Sequence, residues 1–305
     1  MTSPQDPRKH ESGMSEFGPM NARAVGTLMK EAVRRAIIVI RAHRFNFEAT
    51  VKGVGDHGGP DLVTTADHAA QHTMTELLQQ WFPNVHICAE EDDLRDPLDV
   101  PEGLWFSVDP LDGTAAFVRR ASHGIGSMIA LMRGTEILGA VVGDVMTQEL
   151  YATSPGGDAV HRISELGFPE RLVIDTGRPL DEQWVLLRDA PDQTTETARA
   201  LVWSDAPLFR GIEVAGDSIG LGMARLWKGE VGGALLPPRA YTPWDLNPIV
   251  VLSQRMGFVF LEVRGDGALI PWTPEATPVC VAVEVPLLVV HHTRFDEVRA
   301  WQARQ

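Results

Sequence analysis

Two cysteines, Cys88 and Cys280, stand far apart in 305 residues and form no CxxC pair, so a disulfide framework and a structural zinc site both lack material. Each lies in an apolar stretch and reads as a small buried side chain. Basic residues are also scarce: 27 Lys and Arg against 41 Asp and Glu leave a net charge of −14. Such a chain repels nucleic-acid phosphates and anionic lipid, which argues against a broad nucleic-acid or membrane face. No apolar run approaches the roughly 18–20 residues that span a bilayer. Residues 1–20 are polar, with two prolines before Glu11 and no apolar core of a leader, and read as a flexible tail on a cytoplasmic protein. Internal repeats are missing as well. What is present is ordinary globular material: a 44% hydrophobic share is enough for a core, and the length suits about two domains.

Helical periodicity begins after the tail, with Val25, Met29, Ala32, Ala36 and Ile40 at spacings of three and four. Gly53, Gly55, Gly58, Gly59 and Pro60 then break the chain into a loop or hairpin. A second helix is predicted from Asp67 to about Trp81, followed by strands at 85–88, 104–108, 126–131, 137–142 and 149–153. The last three have connections too short for helical crossovers, so they predict an antiparallel meander. Beyond Gly156-Gly157, strands are predicted at 171–174, 184–187, 233–236 and 257–263, and helices at about 217–229 and 244–256. Strict βαβ alternation is missing. The pattern predicts an α+β layered fold, with an N-terminal half at 21–155 and a C-terminal half at 156–305.

The chemistry gathers in an acidic region between Glu90 and Asp112. Residues 92–102 read as a solvated loop face, but Glu90 and Asp109 each follow an apolar strand, where a rigid sheet can aim them. In Asp109-Pro110-Leu111-Asp112-Gly113-Thr114, Pro110 holds Asp109 extended and Gly113 permits a tight turn. Two carboxylates three residues apart on such a bend can face one point, with the Leu111 carbonyl between them. Ionised carboxylates about 4 Å apart repel by roughly 4 kcal/mol at an effective dielectric near 20, so a cluster needs protons or cations. Oxygen-only ligands select hard cations, Mg²⁺ above all. An Asp-Pro turn followed by a helix cap is the plainer alternative. An EF-hand is rejected, because the stretch lacks D-x-[DN]-x-[DN]-G and its later glutamate.

These residues resemble the inositol monophosphatase-like family of Mg²⁺-dependent, lithium-sensitive phosphatases. That superfamily also holds fructose-1,6-bisphosphatases, histidinol-phosphatases and 3′-phosphoadenosine 5′-phosphate phosphatases. Four blocks carry the resemblance in the family's order: Asp61 to Asp67, Ala89-Glu90-Glu91, Trp105 to Thr114 with Phe117, and Trp244-Asp245. The likeness runs from Ala22 to Phe260 and is weak between Thr153 and Gly216. It implies the layered α/β/α/β/α sandwich of the sugar phosphatases, cytoplasmic residence and a homodimer. It further implies two or three Mg²⁺ ions held by Glu90, Asp109, the Leu111 carbonyl, Asp112 and Asp245. Thr114 and Asp67 would orient and deprotonate the attacking water, with Glu90 supporting a third metal. The backbone amides of Gly113 and Thr114 would receive the phosphate. By itself Asp67 reads as a helix N-cap; only the resemblance gives it a catalytic role.

The implied activity is hydrolysis of a small phosphate monoester by metal-activated water, acting on an inositol, sugar, aminocyclitol or related polyol phosphate. The second half departs from the family's pattern. Within Leu236-Pro237-Pro238-Arg239-Ala240-Tyr241 a proline stands where many inositol phosphatases carry a hydroxyl-binding glutamate, leaving Arg239 or Tyr241 to line the pocket. Gly216-Asp217-Ser218-Ile219 replaces a Gly-Thr-Ala-Ala-like segment, so Asp217 and Ser218 become candidate substrate contacts. His123 reads as a satisfied structural histidine. Those departures keep open a 3′(2′),5′-bisphosphate nucleotidase, a histidinol-phosphatase, or a non-catalytic metal- and phosphate-binding module.

Overall fold

A computed structural model describes residues 17, 20–54, 60–92, 102–188, 190 and 194–304. The expected tail lies outside these residues apart from Phe17 and Met20, and so do Gly55, Gly58 and Gly59.

Helix α1 (Ala22–His43) starts where Asn21 Oδ1 accepts the Ala24 N–H at 2.9 Å, and ends with Arg41 and His43 in its last turn. Val25, Met29, Ala32, Ala36 and Ile40 are all buried on one face, as the periodicity predicts. Strands β1 (Ala49–Val54) and β2 (Pro60–Thr64) form an antiparallel hairpin, exposed along β1 and buried at the end of β2, leading into α2 (Thr65–Trp81). Strands β3 (His86–Ala89) and β4 (Leu104–Asp109) pair in parallel, and the five-residue α3 (Thr114–Val118) follows. The predicted meander is β5 (Gly126–Arg133), β6 (Glu136–Asp144) and β7 (Leu150–Thr153), extended by β8 (His161–Ile163) and β9 (Pro169–Arg171). Together β3 to β9 make a seven-stranded sheet in sequence order.

The strand predicted at 171–174 ends where it was to begin. Pro169–Arg171 is the paired segment, and beyond it the Leu172 N–H turns to the Val160 carbonyl at 2.9 Å. The second sheet follows: β10 (Trp184–Leu187), α4 (Glu196–Trp203), β11 (Gly211–Val214), α5 (Ile219–Trp227), β12 (Gly233–Leu236), β13 (Arg239–Tyr241) and α6 (Pro243–Arg255). Strands β14 (Phe258–Val263), β15 (Leu269–Trp272), β16 (Val281–Val283) and β17 (Leu287–His291) precede α7 (Phe295–Gln302). The order β11-β10-β12-β17-β14-β15 makes a six-stranded sheet, with β13 and β16 as a separate pair.

Three apolar cores separate five layers. One lies between α1–α2 and the first sheet, one holds α5–α6 between the two sheets, and one lies between the second sheet and α4–α7. Since both sheets are covered on both faces, β5 reads as a continuous apolar run instead of alternating. Each fully buried aliphatic side chain contributes roughly 1.5–3 kcal/mol of transfer free energy, and the first two cores share most of that burial. Gly143 on β6 lets α1 settle close, since a Cβ there would meet Val33 Cγ1 at 2.5 Å. This is the layered α/β/α/β/α sandwich. Cys88 is buried as expected; Cys280 is exposed, because its segment runs along the surface. Among the described residues no helix is long and apolar enough to cross a membrane.

Candidate active site

Strand β4 ends at Asp109, whose carboxylate is buried in the groove between the first sheet and α6. The following turn brings Asp112 back: Asp112 and Gly126 exchange both backbone hydrogen bonds, at 3.1 and 2.7 Å. Gly113 caps α3 with φ +92°, and a Cβ there would meet the Gly124 carbonyl oxygen at 2.3 Å. Only glycine fits that turn. On the opposing layer, Pro243 occupies the first turn of α6, which sets Asp245 at the end facing the sheet. One oxygen from each of Asp109, Asp112 and Asp245 lies within 4.8 Å of the other two.

Asp112 ties the turn after β4 to the start of α5. Its Oδ1 accepts the Ile219 N–H at 3.0 Å, and its Oδ2 accepts the Gly220 N–H at 2.8 Å and the Ser218 hydroxyl. With about four lone-pair directions on a carboxylate, three are used and one is left facing the cluster. Asp109 is different: its Oδ1 is buried with no hydrogen-bond partner among the described residues. Burial drives its pKa well above the ordinary value, and the charges of Glu90, Asp112 and Asp245 add to the rise. Asp112 is pushed up to about 6 by burial and by Asp245, against the pull of Arg188 and its own hydrogen bonds. An orphaned buried oxygen amid repelling carboxylates fits a hard divalent cation.

Glu90 adjoins this trio beside Asp109. It follows β3, and its Oε1 accepts from Lys52 Nζ at 2.8 Å, while Lys52 also donates to Glu91 at 3.0 Å. Burial pushes Glu90 up to about 8, opposed by Lys52 and assisted by Glu91. For Lys52, the two carboxylates outweigh burial and raise its pKa. The sequence reading missed this lysine, and nothing local could have found it, because it reaches Glu90 across the β1–β2 hairpin. It missed Gln71 too, whose Oε1 accepts the Glu91 N–H at 2.9 Å and whose Nε2 donates to Asp92 at 2.8 Å.

Asp67 belongs to a capping box in which Thr64 is the N-cap, so α2 starts two residues before the predicted Asp67. One oxygen, Oδ2, accepts from Thr64; the other, Oδ1, accepts the Thr114 hydroxyl at 3.0 Å. Asp67 therefore caps α2 with one oxygen and holds the Thr114 hydroxyl with the other. Burial raises its pKa against those hydrogen bonds. The Leu111 carbonyl lies 3.1 Å from the same hydroxyl.

The candidate substrate residues sit on the second sheet's side. Asp217 Oδ1 accepts from Arg119 at 2.5 Å, and the Asp217 carbonyl accepts from Arg188 Nη1 at 2.7 Å. His123 is not an interior histidine: its side chain is 81% exposed, 4.0 Å from Asp217, because the 121–125 loop runs outside the sheet. Arg239 lies over the Tyr241 ring at 5.0 Å, and Tyr241 is buried with its hydroxyl donating to the Pro237 carbonyl at 2.6 Å. Arg188 went unnoticed in the sequence.

Comparison with known proteins agrees with this architecture. The family model described as the inositol monophosphatase family matches residues 22–295. An inositol-1-monophosphatase of Caulobacter vibrioides is 32% identical over 154 residues, spanning 50% of this chain and 57% of that protein. The Escherichia coli Nus factor SuhB is 33% identical over 213 residues, 68% of this chain and 74% of its own length. A crystal structure of an IMPase/NADP phosphatase complexed with Mg²⁺ and phosphate shares the fold at TM-score 0.68 and 17% identity, covering 92% of this chain and 95% of that one. With most of its length matched and its layers in the same arrangement, the chain belongs to the inositol monophosphatase family, a family of phosphoric monoester hydrolases.

Proposed function

We propose that the chain is a Mg²⁺-dependent phosphomonoesterase acting on a small phosphorylated sugar or polyol. The observation that carries this reading is the trio of Asp109, Asp112 and Asp245 oxygens within 4.8 Å, with Asp109 Oδ1 buried and unpartnered. Those three carboxylates, with Glu90 and the Leu111 carbonyl, would hold Mg²⁺. When bound, the metal supplies positive charge that binds the phosphate and stabilises charge on the attacking and leaving oxygens.

The chain's own groups supply the rest. Thr114 Oγ1 lies within hydrogen-bond reach of Asp67, so a proton from water can pass to the hydroxyl while the hydroxyl's proton passes to Asp67 Oδ1. Burial favours Asp67 as the acceptor, because its raised pKa makes it a stronger base than an exposed aspartate. The N–H groups of Gly113 and Thr114 open the α3 turn beside the trio and suit a phosphate oxygen. Ser218 acts as a positioning residue through Asp112. The two-part organisation, with most ligands on the N-terminal half and Asp245 on the C-terminal half, brings the site to the junction of the layers. A cytoplasmic homodimer completes the reading; its assembly is checked by sedimentation equilibrium.

The test is phosphate release from a panel of monoesters with Mg²⁺. Turnover that disappears with EDTA and in Asp109→Ala is the expected result. A folded protein inert toward every ester, or an Asp109→Ala variant of full activity, would refute the assignment.

A further inference from the structure

The turn of Gly113 and Thr114 is backed by a segment from the other half of the chain. A Cβ at Gly113 would meet the Gly124 carbonyl oxygen at 2.3 Å and the Ser218 nitrogen at 3.0 Å. That same carbonyl accepts the Ser218 N–H at 3.2 Å. Gly124 is left-handed too, at φ +72°, and a Cβ on it would meet Asp217 Cβ at 2.5 Å. Gly113, Gly124 and the Asp217-Ser218 pair are therefore stacked with no room for a side chain between them.

Asp217 is held from two directions. Its Oδ1 accepts from Arg119 Nη2 at 2.5 Å, across 98 residues of sequence, and Arg119 is the residue that ends α3, its N–H donating to the Ala115 carbonyl at 3.1 Å. The Asp217 backbone carbonyl accepts from Arg188 Nη1 at 2.7 Å, just past the end of β10. The other carboxylate oxygen, Oδ2, lies 4.0 Å from the exposed His123. Next in the chain, the Ser218 hydroxyl donates to Asp112 and accepts the Leu221 N–H at 3.0 Å, which caps α5. Two consecutive residues of the second half thus touch the far end of α3, the carbonyl behind Gly113 and one carboxylate of the trio.

We propose that Arg119 and Asp217 are positioning residues: their ion pair latches the 216–218 segment onto the turn of Gly113 and Thr114 and so fixes that turn's N–H groups against the carboxylate trio. The proposal rests on the phosphomonoesterase reading and adds two residues to it. Asp217, whose Oδ1 already holds Arg119, then serves the reaction through the turn instead of through a hydroxyl of the substrate. Slack in the turn misaligns the phosphate with the attacking water, a loss felt in kcat, while the carboxylates and their share of binding are untouched. The Arg119 side chain is 64% exposed, so solvent screens the pair and its effect on rate is about three- to fivefold.

The experiment is a double-mutant cycle on the full chain with Mg²⁺, using the monoester that the wild type hydrolyses fastest, with thermal unfolding recorded alongside. Arg119→Gln and Asp217→Asn should each lower kcat by about three- to fivefold, with KM and the Mg²⁺-induced rise in Tm unchanged. The double variant should be no slower than either single one, because each breaks the same contact. Arg119→Lys should recover part of kcat, since one N–H carries the bond. A wild-type kcat in either single variant, or losses that multiply in the double one, would overturn the latch while leaving the phosphatase reading intact. A raised KM in Asp217→Asn alone would do the same, by making Asp217 a direct substrate contact. So would loss of the Mg²⁺-induced rise in Tm, which would place the pair among the supports of the metal ligands. A wild type inert toward every ester would overturn both.

Discussion

Asp109→Asn is expected to make the metal-free protein more stable while abolishing turnover, because the wild-type residue is held among carboxylates that repel it. Its neighbours Asp112 and Asp245 each offer an oxygen within 4.8 Å. At that separation and an effective dielectric near 20, each ionised pair repels by about 3 kcal/mol. Protonation caps the penalty: keeping a proton at pH 7 on a carboxyl whose usual value is 3.8 costs about 4 kcal/mol. Asparagine has the same shape and no charge, so the substitution should recover about 2–4 kcal/mol. For a chain of this length that raises Tm by about 4–8 °C in EDTA. Saturating Mg²⁺ should invert the order, since wild type gains stability from the ion and the variant has lost the central ligand. Thermal unfolding followed by circular dichroism, with and without Mg²⁺, checks both halves. A variant less stable than wild type in EDTA would mean Asp109 is a satisfied structural carboxylate, and an unchanged Mg²⁺ response would mean it is no ligand.

The Mg²⁺-induced rise in Tm should itself grow between about pH 5 and pH 8. Glu90 and Asp112 have folded values of about 8 and about 6, above their ordinary 4.5 and 3.8, so their stability contribution is intact at acid pH and is lost as pH rises through those values. For Asp112 that loss is about 3 kcal/mol, and a bound cation cancels it by displacing the proton; a pH-independent Mg²⁺ effect would contradict the argument. Thr114→Val should lower kcat by about 10²–10⁴-fold while keeping the Mg²⁺-induced Tm rise, because it removes the hydroxyl bonded to Asp67 and no carboxylate; near-normal turnover would exclude the proton path. Gly113→Ala should cost at least about 2 kcal/mol, from the left-handed backbone and the contact with the Gly124 carbonyl, and urea denaturation showing wild-type stability would refute that geometry.

The first half of the chain was legible because its signals are local. The α1 stripe, the Pro-held turn at Asp109 and the closely spaced meander each specify their structure within fewer than thirty residues. The carboxylate trio was legible from residue type and block order, although Glu90 is engaged by Lys52. What stayed hidden depends on contacts across the fold. Ser218 reaches Asp112 over 106 residues, and Lys52 reaches Glu90 over 38. Short elements were missed for a related reason: α4 and β11 are eight and four residues long, and tertiary packing holds them more than propensity does. Asp67 was read as an N-cap because a carboxylate near a helix start is ambiguous. The capping box resolves it, since Thr64 takes one oxygen and leaves the other for Thr114.

A net charge of −14 makes the local charge arrangement decisive, since the chain as a whole repels a phosphate ester. Two cations flank the carboxylate trio in different ways. Lys52 spends its charge in direct contact with Glu90 and Glu91, so on that side the hairpin meets a largely neutralised edge. On the other side Arg188 donates to the neutral Asp217 carbonyl at 2.7 Å and lies within Coulombic reach of Asp112 and Asp245. Arg188 therefore offsets part of the trio's negative charge, and what remains is left for protons or a cation to balance.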